Sequence, residues 1–97
     1  MYLIGTFIMQ DSASIYGNAT SKNGGGVYIG SGNFFISNGI IYGNSSGAMS
    51  NTAANSGAAL FRSAVALYGT FSGDIFTPNG ILDTTDDTIE VVNGVLQ

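Results

Sequence analysis

The chain has 97 residues, of which 15 are glycine and one is proline; 44% are hydrophobic and only 8% charged. That size allows one small domain at most, and against a usual charged share of about 25% the polar work falls to Ser, Thr and Asn. The absence of Cys and His excludes disulfide scaffolds, thiol nucleophiles, His-based triads and nearly all zinc sites. A net charge of −4, with Lys22 and Arg62 as the only cations, excludes binding to a phosphate backbone, which needs clustered Lys and Arg. The mean hydropathy of +0.28 argues against disorder. Met1 to Met9 is apolar but has no basic n-region and no small-residue cleavage site. No apolar run approaches the roughly 18–20 residues of a membrane-spanning helix.

In chain order, short segments rich in β-branched and aromatic residues alternate with Gly, Asn and Ser, the pattern of strands and turns. Gly5 to Gln10 is the first strand, Ile15 to Asn18 the second and Asn23 to Ile29 the third. Gly32 to Ser37 then repeats the first at an offset of 27, and Ile41 to Asn44 repeats the second at 26. Asn55 to Phe61 is a worn copy of the third at 32. After that, Ala64 to Tyr68 precedes an insertion at Gly69 to Asp74, and Phe76-Thr77-Pro78-Asn79 takes the place of Ile41-Tyr42-Gly43-Asn44. Pro78 suits a turn or a sheet edge. Two last strands, Thr88 to Val92 and Gly94 to Gln97, flank Asn93-Gly94.

Three pieces returning in fixed order predict an all-β fold, a right-handed parallel β-helix of about three coils with three short strands per coil. Residues 1–97 form a single segment of a longer repeat protein, with clear repeats over 1–61 and a degraded last coil over 62–97. Alternation places Phe7 and Met9 inward on Phe34 and Ile36, Ile15 on Ile41, and Val27 and Ile29 on Ala59 and Phe61. Ile8 above Phe35, Tyr16 above Tyr42 and Tyr28 above Leu60 face outward. Asn18 and Asn44 form a ladder along one turn. The competing fold is an antiparallel meander or sandwich, because Asn-Gly dipeptides at Asn23, Asn38, Asn79 and Asn93 are hairpin signals. It explains the turns but not the ordered repeat.

The strings Gly-Thr-Phe-Ile-Met, Ile-Tyr-Gly-Asn-Ala-Thr and Asn-Gly-Gly-Gly-Val-Tyr-Ile resemble the repeats of bacterial right-handed parallel β-helix surface proteins, the polymorphic outer-membrane proteins and autotransporter-like adhesins. Gly24-Gly25-Gly26-Val27 is close to their Gly-Gly-Ala-Ile/Leu/Val element, and Phe35-Ile36-Ser37-Asn38 fits their Phe-x-x-Asn element. The resemblance covers residues 1–61 well and 62–97 weakly. It implies an exported, cell-surface or secreted, structural or adhesive passenger segment without enzymatic activity or cofactor. The alternative is a carbohydrate-binding or polysaccharide-processing β-helix whose active residues lie elsewhere.

Six acids, Asp11, Asp74, Asp83, Asp86, Asp87 and Glu90, offer no ladder-matched pair for glycoside hydrolysis, and Asp11 is expected at least two coils from the others. The weak calcium candidate is Asp83, Asp86, Asp87 and Glu90, with Thr hydroxyls between them; the plainer reading is a solvated turn. Tyr2, Tyr16, Tyr28 and Tyr42 offer an outward aromatic surface for a glycan or host protein, or simply a shielding ladder. Ser45 to Ala54, including Met49 and Asn51, is expected to protrude as a mobile loop and to carry partner contacts. Met1-Tyr2-Leu3-Ile4 forms an uncharged edge, predicted to pair with another copy or with upstream coils. The sequons at Asn18 and Asn44 fall at one repeat position, which the turn explains without glycosylation. Gly24-Gly25-Gly26 is not a phosphate loop, since no Lys-Ser/Thr or helix follows.

Overall fold

The computed structural model describes residues 2–97; expectations for Met1 and for the Tyr2 ring lie outside the described residues. The described residues are all-β, with eleven strands and one 3₁₀ turn at Gly47–Met49. Strands β1 (Tyr2–Met9), β2 (Ser14–Ile15) and β3 (Ala19–Thr20) make a first circuit. A second circuit runs through β4 (Val27–Ile36), β5 (Gly39–Ile41) and β6 (Thr52–Ala53). The chain then passes through β7 (Leu60–Arg62) and β8 (Val65–Ser72).

Each strand of the second circuit lies parallel to its counterpart in the first: β1 on β4, β2 on β5 and β3 on β6. Strands β7 and β8 then lie parallel on β4. After Ser72 the direction reverses. Strand β9 (Ile75–Ile81) runs antiparallel along β8. Strand β10 (Ile89–Val92) runs antiparallel along β5, and β11 (Val95–Leu96) closes a hairpin on β10. The sheets are therefore mixed, where all-parallel coils were expected.

The repeat placed most of the interior correctly. Phe7 sits opposite Phe34 and Met9 opposite Ile36, and Phe34 meets Ala66 on its other side. Phe34, Ile36 and Ile41 are wholly buried. Burial of the partly stacked Phe7 and Phe34 rings, 5.6 Å apart and 11° from parallel, removes two large apolar surfaces from water.

Two expectations of register fail. The third ladder is shifted by one residue: Val27 pairs with Leu60 and Tyr28 with Phe61. Leu60 therefore points inward and is fully buried, while Phe61 stacks on Tyr28 at 5.2 Å. A slip of one residue exchanges the two faces of a strand. Second, Phe76 to Asn79 does not overlie Ile41 to Asn44; Gly69 to Ser72 continues β8, and β9 returns beside it. Phe76 packs on Phe35 at 4.6 Å and on Phe71 at 4.8 Å. Pro78 lies in β9, at one end of the sheet order, where its missing N–H is tolerated. Of the four Asn-Gly dipeptides that speak for the competing meander, only Asn93-Gly94 turns a two-residue hairpin among the described residues. Its φ values of 49° and 77° are the left-handed pair that such a turn demands.

Candidate functional site

The region that organises the molecule is the corner where the chain passes from β5 to β6. Asn51 there is buried, although it was expected on a protruding loop. Its Nδ2 donates to the carbonyls of Ile15 at 2.9 Å and Tyr42 at 2.7 Å. Its Oδ1 accepts from the Asn18 backbone N–H at 2.9 Å and from Asn18 Nδ2 at 3.2 Å. One amide thus satisfies polar groups from both circuits, the condition under which burying it is tolerable. The ladder partner of Asn18 is therefore Asn51, not Asn44.

The register explains the substitution. Ile15 pairs with Ile41 at an offset of 26, while Ala19 pairs with Thr52 at 33, so seven residues, 44–50, loop out between the two rungs. Asn51 N–H reaches back to the Gly43 carbonyl at 3.2 Å, so the insert leaves and re-enters at nearly one point. Ser45 lies exposed at its start, its Oγ donating to Asn44 Oδ1 at 3.2 Å. Met49, on the 3₁₀ turn, is 36% exposed, and its carbonyl accepts from Gly17 N–H at 3.2 Å. Thr52 and Ala53, also expected in the loop, belong instead to the framework as β6.

The tyrosines divide between two walls. Tyr16, 52% exposed, meets Tyr42 edge-on at 6.4 Å beside β2 and β5, whereas Tyr28 stacks on Phe61 in the sheet of β4 and β7. They do not make one continuous surface.

The acidic segment covers one end of the stack. Residues 57–60 present N–H groups away from the second circuit. Asp86 Oδ1 accepts from Ala58 at 2.9 Å, and the Thr85 carbonyl accepts from Ala59 and Leu60 at 3.2 Å each. Thr88 Oγ1 accepts from Gly43 N–H at 2.9 Å, and the Asp86 carbonyl accepts from Asn44 N–H at 3.0 Å. Asp83 turns aside to Arg62, Oδ1 to Nε at 3.3 Å. The four acids of the calcium candidate therefore do not converge, and among the described residues no group of three metal-ligating side chains does.

Asp11 is not remote from the later acids. Because β10 docks on β5, Asp11 and Glu90 line a single shallow cavity of about 200 Å³, a juxtaposition that the coil count missed. A larger cavity, about 570 Å³, opens at the other end of the stack between Asn18, Thr20, Lys22, Gly24, Gly25 and Tyr28.

No family model, curated protein or solved structure matches the chain. Among the described residues no helix is long and apolar enough to cross a membrane.

Proposed function

We propose that the chain is a segment of a right-handed parallel β-helix whose last part, from Gly73, folds back as a closing cap. It serves as a non-enzymatic structural or adhesive element of a bacterial cell-surface or secreted protein. The observation that supports the coil reading is the parallel pairing of β1, β4 and β8, with one bulge between Leu3 and Ile4, repeated at β2 with β5 and β3 with β6. Side chains that recur at one rung height stack as ladders, so each circuit adds core without adding new chemistry. The resemblance of residues 1–61 to surface-protein repeats supplies the cellular setting. Export and adhesion rest on that likeness, since a fold of this type hosts many activities.

Beads coated with the chain are expected to adhere to host cells or matrix protein above the level of albumin-coated beads, and calorimetry against neutral and uronic oligosaccharides is expected to give no saturable heat. A saturable saccharide would replace the adhesive reading by the polysaccharide-associated one. Slow hydrogen exchange at the amides of Gly25 to Val27 and Ala58 to Leu60 tests the stacking itself.

A further inference from the structure

We propose that the side-chain amide of Asn44, at the start of the 44–50 insert, is an attachment point for an N-linked sugar that the folded chain offers to a glycosyltransferase, while the matching tripeptide at Asn18 is withheld. The proposal rests on the surface reading above in one respect: Asn-x-Ser/Thr is the attachment signal of secreted and surface proteins. Asn18-Ala19-Thr20 and Asn44-Ser45-Ser46 both carry it. A shared place in the repeat accounted for both as turn residues. That account no longer covers Asn44, because the residue bonded to Asn18 on the next rung is Asn51.

Both asparagines are exposed; what separates them is how they are held. Nδ2 of Asn18 donates to the Tyr16 carbonyl at 3.1 Å and to Asn51 Oδ1 at 3.2 Å, so both of its protons are engaged. Its tripeptide is fixed in the sheet as well: Ala19–Thr20 is β3, and the carbonyls of Asn18 and Thr20 accept from Thr52 and Ala54 at 2.9 and 3.1 Å. In Asn44 the Oδ1 accepts from the Ser45 hydroxyl at 3.2 Å, and among the described residues no acceptor is found for its Nδ2. The remaining bonds of the second tripeptide are local to the insert or its rim. Asn44 N–H meets the Asp86 carbonyl at 3.0 Å, Ser46 N–H meets Ser50 Oγ at 2.8 Å, and Ser46 Oγ lies 3.2 Å from Thr88 Oγ1. None belongs to a strand ladder. The insert can therefore open and present an extended tripeptide while the rungs stay paired, whereas presenting Asn18 unpairs β3 and strands the buried Asn51 amide.

The transfer needs a sugar carried on a nucleoside diphosphate. Nδ2 attacks the anomeric carbon and the N–C bond forms. The bond from that carbon to the diphosphate oxygen breaks, its electron pair leaving with the diphosphate. One amide proton passes to a base of the transferase, and no oxidant or reductant is involved.

The test treats the full folded chain with UDP-glucose and a soluble N-glycosyltransferase that recognises Asn-x-Ser/Thr, and maps the product by mass spectrometry. The free peptides 14–24 and 40–50, which lack the fold, serve as controls. Both peptides are expected to take a hexose, and the folded chain to take one at Asn44 at least about tenfold faster than at Asn18, the difference between opening a surface loop and opening a paired strand. Asn44→Gln and Ser46→Ala should each abolish the fast transfer, and Asn44→Gln should leave the melting midpoint unmoved. An unmodified folded chain, an unmodified 40–50 peptide, or equal rates at Asn18 and Asn44 would each overturn the proposal. So would a melting loss in Asn44→Gln as large as that of Asn51→Leu, which would place the side chain in the framework. Beads that fail to adhere while Asn44 takes the sugar remove the adhesive reading and leave the attachment point; adherent beads with no transfer do the reverse.

Discussion

Replacing Asn51 by Leu takes away two donors and one acceptor at a site with no access to water. The carbonyls of Ile15 and Tyr42 and the N–H of Asn18 lose their partner together. The cost of stranding buried polar groups is about 2–4 kcal/mol, read as a fall in the denaturation midpoint in urea; a loss below about 1 kcal/mol would show that water replaces the amide. Phe34→Ala tests the apolar side of the same scale. With Phe7 against one face and Ala66 across the other strand, the cavity should cost about 3–5 kcal/mol, enough to unfold a domain of ordinary stability. An unchanged thermal transition would contradict the inward placement. Phe34 was legible in the sequence because alternation within a repeated strand fixes its face. Asn51 was not, since a buried Asn in an Asn- and Ser-rich stretch carries no local mark, and its role appears only when the rungs are aligned across the insert.

At the scale of elements, the insert at 44–50 separates two versions of one motif. Without it the chain would read Ile41-Tyr42-Gly43-Asn51, the same four residue types as Ile15-Tyr16-Gly17-Asn18. Deleting Asn44 to Ser50 is therefore expected to keep the fold and lower the melting midpoint by less than about 8 °C, the shift of roughly 1 kcal/mol in a domain this size. Extending the deletion through Asn51 to Ala54 removes β6 and should abolish the cooperative transition. The Asn44 in front of the insert completes the motif by itself, which is why spacing alone chose the wrong asparagine; the next ladder came out one residue off because Asn23 was matched to Asn55 at an offset of 32, where Val27 pairs with Leu60 at 33. The acidic segment gives the second test. Asp86→Ala loses the acceptor for Ala58 N–H and should cost about 1 kcal/mol, whereas calcium against chelator should leave the melting midpoint of the parent chain unmoved. A calcium-dependent rise would restore the metal reading. The strands after Gly69 were legible as strands, yet their direction was not: hairpin and coil demand the same local composition, and only docking on β8 and β5 decides between them.

Across the whole molecule the two ends of the sheets are managed differently. Strand β9 carries Pro78 and β11 has two residues, while the Asp83 to Asp87 segment lies over the third layer; these are ways in which proteins blunt an edge. Strand β1 has none of them: eight residues, no charge, and Ile4 71% exposed. Leu3 is a core residue, 9% exposed, so the probe of this edge is Ile4→Lys. Sedimentation at micromolar concentration is expected to show dimers or larger species in the parent and fewer in Ile4→Lys with an unchanged melting midpoint. A concentration-independent monomer in both would mean that β1 is an inert edge. The 44–50 insert has a different consequence for engineering. Because the chain departs and returns at a single rung, with Asn51 N–H against the Gly43 carbonyl, the contour length between those two points is decoupled from the height of the stack. A foreign epitope of any length spliced there would be displayed from a fixed port, with the flanking rungs unaware of its size.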